Sequence, residues 1–164
     1  SRGLIGYSTE FLSLTRGYGI MNHTFSEYLP VIPNWNPGRR NGALVSINQG
    51  KTTTYATMGI EDRGTIFVDP GTEVYEGMIV GQNSRENDIS VNITKGKNMT
   101  NVRSSNKDLT ATIKTPTHLT LEESLEFLNS DEFCEITPDH VRLRKRILNT
   151  NSREKEAKKR KMNK

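Results

Sequence analysis

Cysteine is almost missing from this sequence. Cys134 stands alone among 164 residues, which excludes an internal disulfide framework and any multi-cysteine metal site. The three histidines, His23, His118 and His140, are scattered without the spacing of a zinc-ligand set. No run of ~18 apolar residues occurs, so no helical membrane span is expected. The opening Ser1-Arg2-Gly3-Leu4-Ile5-Gly6-Tyr7 lacks the long apolar stretch of a secretory signal. These absences fit a reducing, cytoplasmic compartment. In that setting the glycosylation-like triplets Asn92-Ile93-Thr94 and Asn98-Met99-Thr100 are accidental.

Catalytic constellations are equally scarce. Cys134 has Phe133 beside it and no histidine nearby in sequence, which reads as a core thiol and not a nucleophile. Gly50-Lys51-Thr52 resembles the end of a phosphate-binding loop. That fingerprint needs a glycine where Val45 stands, and Thr52-Thr53-Thr54-Tyr55 reads as strand where a helix should begin. No acid/base pair assembles, since Glu122, Glu123 and Glu126 fall on one helix face.

The charge that is present is unevenly placed. The net charge is +4, yet residues 142–164 hold eleven basic residues against Glu154 and Glu156, leaving the rest of the chain net acidic. A basic end of this kind points to a polyanionic partner. A second basic stretch is Asn92–Lys107, with Lys95, Lys97, Arg103 and Lys107 and no acid from Ile89 to Lys107. It lacks clear periodicity and is long for a loop in a compact domain, as functional loops often are. Lysine and arginine supply charge for phosphates, and Asn98, Asn101 and Ser104 supply hydrogen bonds. With no aromatic between Tyr75 and Phe127, the stretch should read RNA shape and backbone without stacking on bases.

The pattern along the chain predicts an α+β fold. Leu4, Tyr7, Phe11 and Leu14 recur at helical spacing, and Gly17 and Gly19 stop the helix. Ile20–Ile32 reads as a strand, and the two elements together look like half of a domain. Pro30, Pro33, Pro37 and Gly38 form a linker. Short strands follow: Ala43–Asn48 and Thr52–Met58 as a hairpin, Thr65–Asp69, Glu73–Val80, Ile89–Thr94 and Leu109–Thr115, a β-rich and barrel-like set. Thr120-Leu121-Glu122-Glu123 opens the main helix with a capping box, and Leu121, Leu125 and Leu128 form its stripe. Phe133–Thr137 and His140–Arg146 flank the turn Pro138-Asp139, with Val141 and Leu143 inward and Arg142 and Arg144 outward. Residues 149–164 carry almost no apolar content and read as frayed helix or disordered.

Several segments resemble a known family. Arg2-Gly3-Leu4-Ile5-Gly6, Glu10-Phe11-Leu12-Ser13-Leu14-Thr15 and Phe25-Ser26-Glu27-Tyr28 are similar to the end of domain V of elongation-factor-G-like translational GTPases. Asn41-Gly42, Gln49-Gly50-Lys51, Asp62-Arg63-Gly64, Glu73-Val74-Tyr75-Glu76-Gly77, Asn87-Asp88, Thr94-Lys95-Gly96-Lys97, Thr100-Asn101-Val102-Arg103 and Arg142-Leu143-Arg144-Lys145-Arg146 resemble the C-terminal domain of the BipA/TypA GTPases. The resemblance implies residues 1–34 as half of a ferredoxin-like domain V, 35–148 as the family's own domain, and 149–164 as a basic tail. It implies a non-catalytic, monomeric segment with no cofactor of its own, GTP and Mg belonging to a nucleotide-binding domain elsewhere in the parent. It further implies large-subunit assembly and stress adaptation as the parent's role, and the large ribosomal subunit, its 23S rRNA and the acceptor end of A-site tRNA as partners. The loop positions matched are Lys95, Lys97, Asn98, Asn101, Arg103, Ser104 and Lys107, with Arg142, Arg144, Lys145 and Arg146 as additional RNA contacts. A stand-alone nucleotide hydrolase and a protein–protein module are the rival readings.

Overall fold

The structure, a computed structural model, describes Leu4 and residues 7–30, 39–96 and 113–162. Helix α1 spans Tyr7–Leu14, where the helical spacing places it. Arg16 and Gly17 take positive φ values of 53° and 81°, and the Gly17 N–H donates to the Leu12 carbonyl at 2.7 Å. That left-handed exit satisfies a carbonyl of the last turn. The expected strand from Ile20 is not formed: residues 18–30 carry no regular secondary structure. A strand needs a hydrogen-bonded neighbour, and Tyr18, Ile20, Phe25, Tyr28 and Leu29 are exposed.

The body is built around β1, Ala43–Ser46, whose four residues are all buried. A strand apolar on both faces belongs inside a sheet with layers on either side. Strands β2 (Gly50–Lys51), β3 (Gly64–Ile66), β4 (Glu73–Val74), β5 (Ile79–Asn83) and β6 (Ile89–Val91) follow in chain order. The main sheet runs β3-β5-β1-β6, with β1 antiparallel to β5 and parallel to β6. The separate β2–β4 pair forms the second sheet. The hairpin expected between 43–48 and 52–58 is therefore absent, because the second half is helix. Helix α2 occupies Thr54–Ile60, and the Thr53 side chain accepts from the Ala56 N–H as its N-cap. Thr53 meets an early free donor of the helix, which is how a β-branched polar residue can start a helix that its propensity opposes.

The two faces of the main sheet carry two cores. Leu44, Val80, Val91 and Ile93 pack with Ile60 of α2 on one side. Ala43, Val45 and Ile79 pack with Phe127 and Leu143 on the other. Helix α3, Leu121–Phe127, has the capping box of Thr120 and Glu123 that the sequence predicts. Its inward face differs from the expected stripe: Ser124 and Phe127 are buried, while Leu121 and Leu125 are exposed. Phe127 meets Phe67 edge-on at 5.2 Å between ring centroids, so one aromatic anchor outweighs two leucines in setting the rotation of a short helix.

Strands β7 (Glu132–Ile136) and β8 (Val141–Lys145) form the third sheet, with Cys134 opposite Leu143. Cys134 packs half-buried against the Phe127–Leu143 core, and burial raises its thiol pKa. Gly77, at φ +87°, leads toward this hairpin, and a Cβ there would lie 2.6 Å from the Leu148 Cα. Both the conformation and the close approach call for glycine.

Residues 150–162, expected to be frayed or disordered, form helix α4 over Thr150–Met162. Asn149 caps it, accepting from the Ser152 N–H at 3.1 Å. Glu76 accepts from the Thr150 N–H at 2.7 Å, and Arg153 donates to the Ile147 and Leu148 carbonyls. These contacts tie the first turn to the body and supply the order that the apolar-poor sequence lacks.

Candidate nucleic-acid interface

The described beginning of the basic stretch, residues 92–96, is held on the body. Ile93 is fully buried, and its carbonyl accepts from the Thr53 N–H at 3.0 Å. The Thr53 hydroxyl donates to the Lys95 carbonyl at 2.6 Å. Asn92 Oδ1 accepts from both the Thr94 N–H and its hydroxyl, at 3.2 and 3.1 Å. On the return side, the Lys114 N–H donates to Glu61 at 3.1 Å, and the Thr117 N–H donates to the Ile66 carbonyl at 2.8 Å. The outgoing side is thus tied to the N-cap of α2, and the return side to Glu61 just after α2 and to Ile66 of β3. Lys95 is exposed beside the outgoing stem. Lys97, Asn98, Asn101, Arg103, Ser104 and Lys107 lie outside the described residues.

The four basic positions of the β8 end separate by role. Lys145 does not face solvent: its side chain is 3% exposed and its Nζ lies 2.5 Å from Asp88, 2.7 Å from Glu132 and 3.0 Å from Asp131. The inward parity of Leu143 continues to it, a register the charge had masked. Burial alone would lower the Lys145 pKa, but the Asp88 and Glu132 carboxylates raise it above the ordinary lysine value. Glu132 also takes a bidentate contact from Arg39 at 2.6 and 2.7 Å, and the Arg39 guanidinium stacks 3.8 Å over the Phe127 ring centroid. Every member of this network is paired, so it locks the β7–β8 hairpin to the main sheet and offers no charge to an external polyanion.

Arg144 is also engaged. It lies 2.5 Å from Glu135 and 5.3 Å over the Phe133 ring. Glu135 in turn accepts from the Tyr75 hydroxyl at 2.6 Å, and burial together with that carboxylate pushes the phenol pKa up. Arg142 remains half-exposed beside Lys51, Glu73 and Tyr75 in a recess of about 240 Å³. Arg146 is exposed and lies 3.6 Å from Glu156 of α4. Val141, expected to face in, is partly exposed at the hairpin tip.

Helix α4, a segment the sequence reads as frayed helix or disordered, adds a further surface. Arg153 and Glu156 turn toward the body, whereas Lys155, Lys158 and Lys159 are exposed. Helical spacing puts these three lysines on one outward face.

A helix does follow Thr52, contrary to the strand reading. Val45, where the fingerprint's first glycine would stand, is buried in β1, so the chain has no loop there to wrap a phosphate. Among the described residues, no group of three or more His, Cys, Asp or Glu could hold a metal ion. No helix among them is long and apolar enough to cross a membrane.

The family model for the TypA/BipA C-terminal domain matches residues 41–150. The chain belongs to that family. It is 65% identical over 161 residues to the large ribosomal subunit assembly factor BipA of Bacillus subtilis (strain 168), covering 98% of this chain and 26% of that protein. It is 46% identical over 153 residues to the protein of the same name from Escherichia coli (strain K12), covering 93% of this chain and 25% of that one. The Buchnera aphidicola protein of that name is 45% identical over 155 residues, covering 94% of this chain and 26% of its own length. The chain thus spans about a quarter of the relatives it matches. The matched region is the C-terminal domain of that family.

Proposed function

We propose that this chain is an RNA-contacting region of a ribosome-associated translational GTPase and that its 92–107 loop carries the contact. The observation behind this reading is the double clamp of the loop stems. The four cations of the 92–107 stretch lie between two held points, Lys95 bonded to Thr53 on one side and Lys114 and Thr117 bonded to Glu61 and Ile66 on the other. Clamped stems reduce the conformational entropy lost when the loop meets a rigid surface. The relatives' shared name as large-subunit assembly factors supports the large subunit as the partner. The 23S rRNA and the acceptor end of A-site tRNA are the ligands, met by a monomeric chain in the cytoplasm. GTP and Mg are handled elsewhere in the parent, whose role is large-subunit assembly and stress adaptation.

The test is the affinity of purified large subunits for the native chain and for Lys97→Ala/Arg103→Ala. Each neutralised phosphate releases counterions, so the double variant should bind more weakly and with a flatter dependence on salt. At on the order of 1 kcal/mol per contact, the loss is about tenfold or more. The outward lysines of α4 favour a second reading in which the helix is the anchor. That reading prevails if the loop variant binds as the native chain does while removal of residues 149–164 abolishes binding.

A further inference from the structure

Beside the outgoing stem of the loop lies a notch of about 520 Å³, lined by Tyr55, Met58, Gly59, Arg63, Asn92 and Lys95 among others. Four observations set it apart from an ordinary surface hollow. Tyr55 is 49% exposed, although a ring of this size gains from burial. Gly59 stands one helical turn from Tyr55, and a Cβ built on it would meet nothing within 4 Å. Alanine would fit there and favour the helix, so neither packing nor a positive φ accounts for the glycine. Arg63 and Lys95 are exposed, and among the described residues neither is paired with a carboxylate. Finally, no lining residue of the notch is acidic.

We infer that this notch binds one unpaired nucleotide of an RNA strand, its base stacked on Tyr55 over the open floor at Gly59 and its phosphates met by Arg63 and Lys95. The inference rests on the reading of the chain as an RNA-contacting region. The loop itself contains no aromatic, so a stacking platform has to come from elsewhere, and the fold brings one from α2. Asn92 spends its carbonyl oxygen on Thr94, and among the described residues its amide N–H groups have no acceptor, leaving donors for a base edge. A base in a duplex has both faces covered and cannot enter. The notch therefore selects single-stranded, bulged or splayed nucleotides, as sequence-reading RNA modules do.

The test measures binding of the full chain to a fluorescent single-stranded RNA decamer and to an RNA duplex of equal phosphate count. Tyr55→Ala should weaken decamer binding roughly fivefold to a hundredfold, the loss expected for one base–aromatic stack, with the salt slope unchanged. Tyr55→Phe should bind within about twofold of native, since the ring and not the hydroxyl carries the stack. Gly59→Leu should fill the notch and match Tyr55→Ala, with its circular dichroism spectrum and melting confirming the fold. Arg63→Gln/Lys95→Gln should flatten the single-strand salt slope by about 1.4, at ~0.7 per contact. Decamer binding indifferent to Tyr55→Ala overturns the notch and leaves the loop reading standing. Equal loss in Tyr55→Phe, or equal Tyr55 dependence for the duplex, also overturns it. Native notch behaviour with large-subunit affinity untouched by Lys97→Ala/Arg103→Ala overturns the loop reading alone. A native chain that binds neither the decamer nor large subunits overturns both.

Discussion

Replacing Lys145 by methionine separates a lysine that holds the fold from one that binds RNA. Methionine keeps the length of the stem and removes the ammonium. Glu132, whose side chain is fully buried, would keep the Arg39 contact at 2.6 and 2.7 Å. Asp88 and Asp131, with side chains 42% and 41% exposed, would rehydrate. Removing one partner of a buried pair costs about 3–5 kcal/mol, and the surviving arginine places this case near 3 kcal/mol. At about 2–4 °C per kcal/mol for a chain of this length, the melting temperature should fall by about 6–12 °C. The pH dependence has a definite sign. The folded Lys145 pKa is raised, so its stabilisation is complete below the unfolded value of about 10.4 and declines as pH rises through the folded value. Thermal melts followed by circular dichroism should therefore show a constant gap between native and variant from about pH 6 to 9, closing in more alkaline solution. A variant that melts within about 2 °C of native while losing RNA affinity would refute the structural assignment.

The base of α4 should respond to acid. Hydrogen bonds from Thr150 and Asn149 hold the Glu76 pKa below its ordinary value, so this anchor is present above about pH 4.3 and is lost as pH falls through the folded value. Hydrogen exchange should show the first turn of α4 losing protection there, with Glu76→Gln removing the pH dependence. Gly59→Ala should raise stability by up to about 1 kcal/mol by helix propensity, measurable by urea denaturation, while weakening single-stranded RNA binding. Amides of residues 18–30 should exchange far faster than those of β1 and β5, because the apolar side chains there are exposed; equal protection would show that they dock on a partner.

Local signals were readable in the sequence, and long-range ones were not. The Ala43–Asn48 segment announced a strand, though not its burial on both faces, and the Thr120–Glu123 pair announced a helix start. Alternation around Pro138-Asp139 placed β7 and β8. The start of α2 was misread because Thr52, Thr53 and Tyr55 favour strands, and only the capping geometry of Thr53 reveals the helix. Lys145 looked like one more basic residue, since its carboxylate partners lie at positions 88, 131 and 132. Order in α4 depends on Glu76, 74 residues away from Thr150. The basic stretch stood out by charge alone, but Tyr55 beside Lys95 is a product of the fold.

The central claim is that the 92–107 loop touches large-subunit RNA, and Cys134, the single cysteine, makes its contacts directly addressable. In a Cys134→Ser background, a photo-cross-linker is placed on Asn101→Cys in the loop and, separately, on Lys158→Cys in α4. Each labelled protein is then irradiated on large subunits carrying tRNA. The account predicts cross-links from position 101 to 23S rRNA and to the tRNA acceptor end, competed away by unlabelled native chain. Cross-links from position 101 to ribosomal proteins alone, or RNA cross-links from position 158 only, would contradict it.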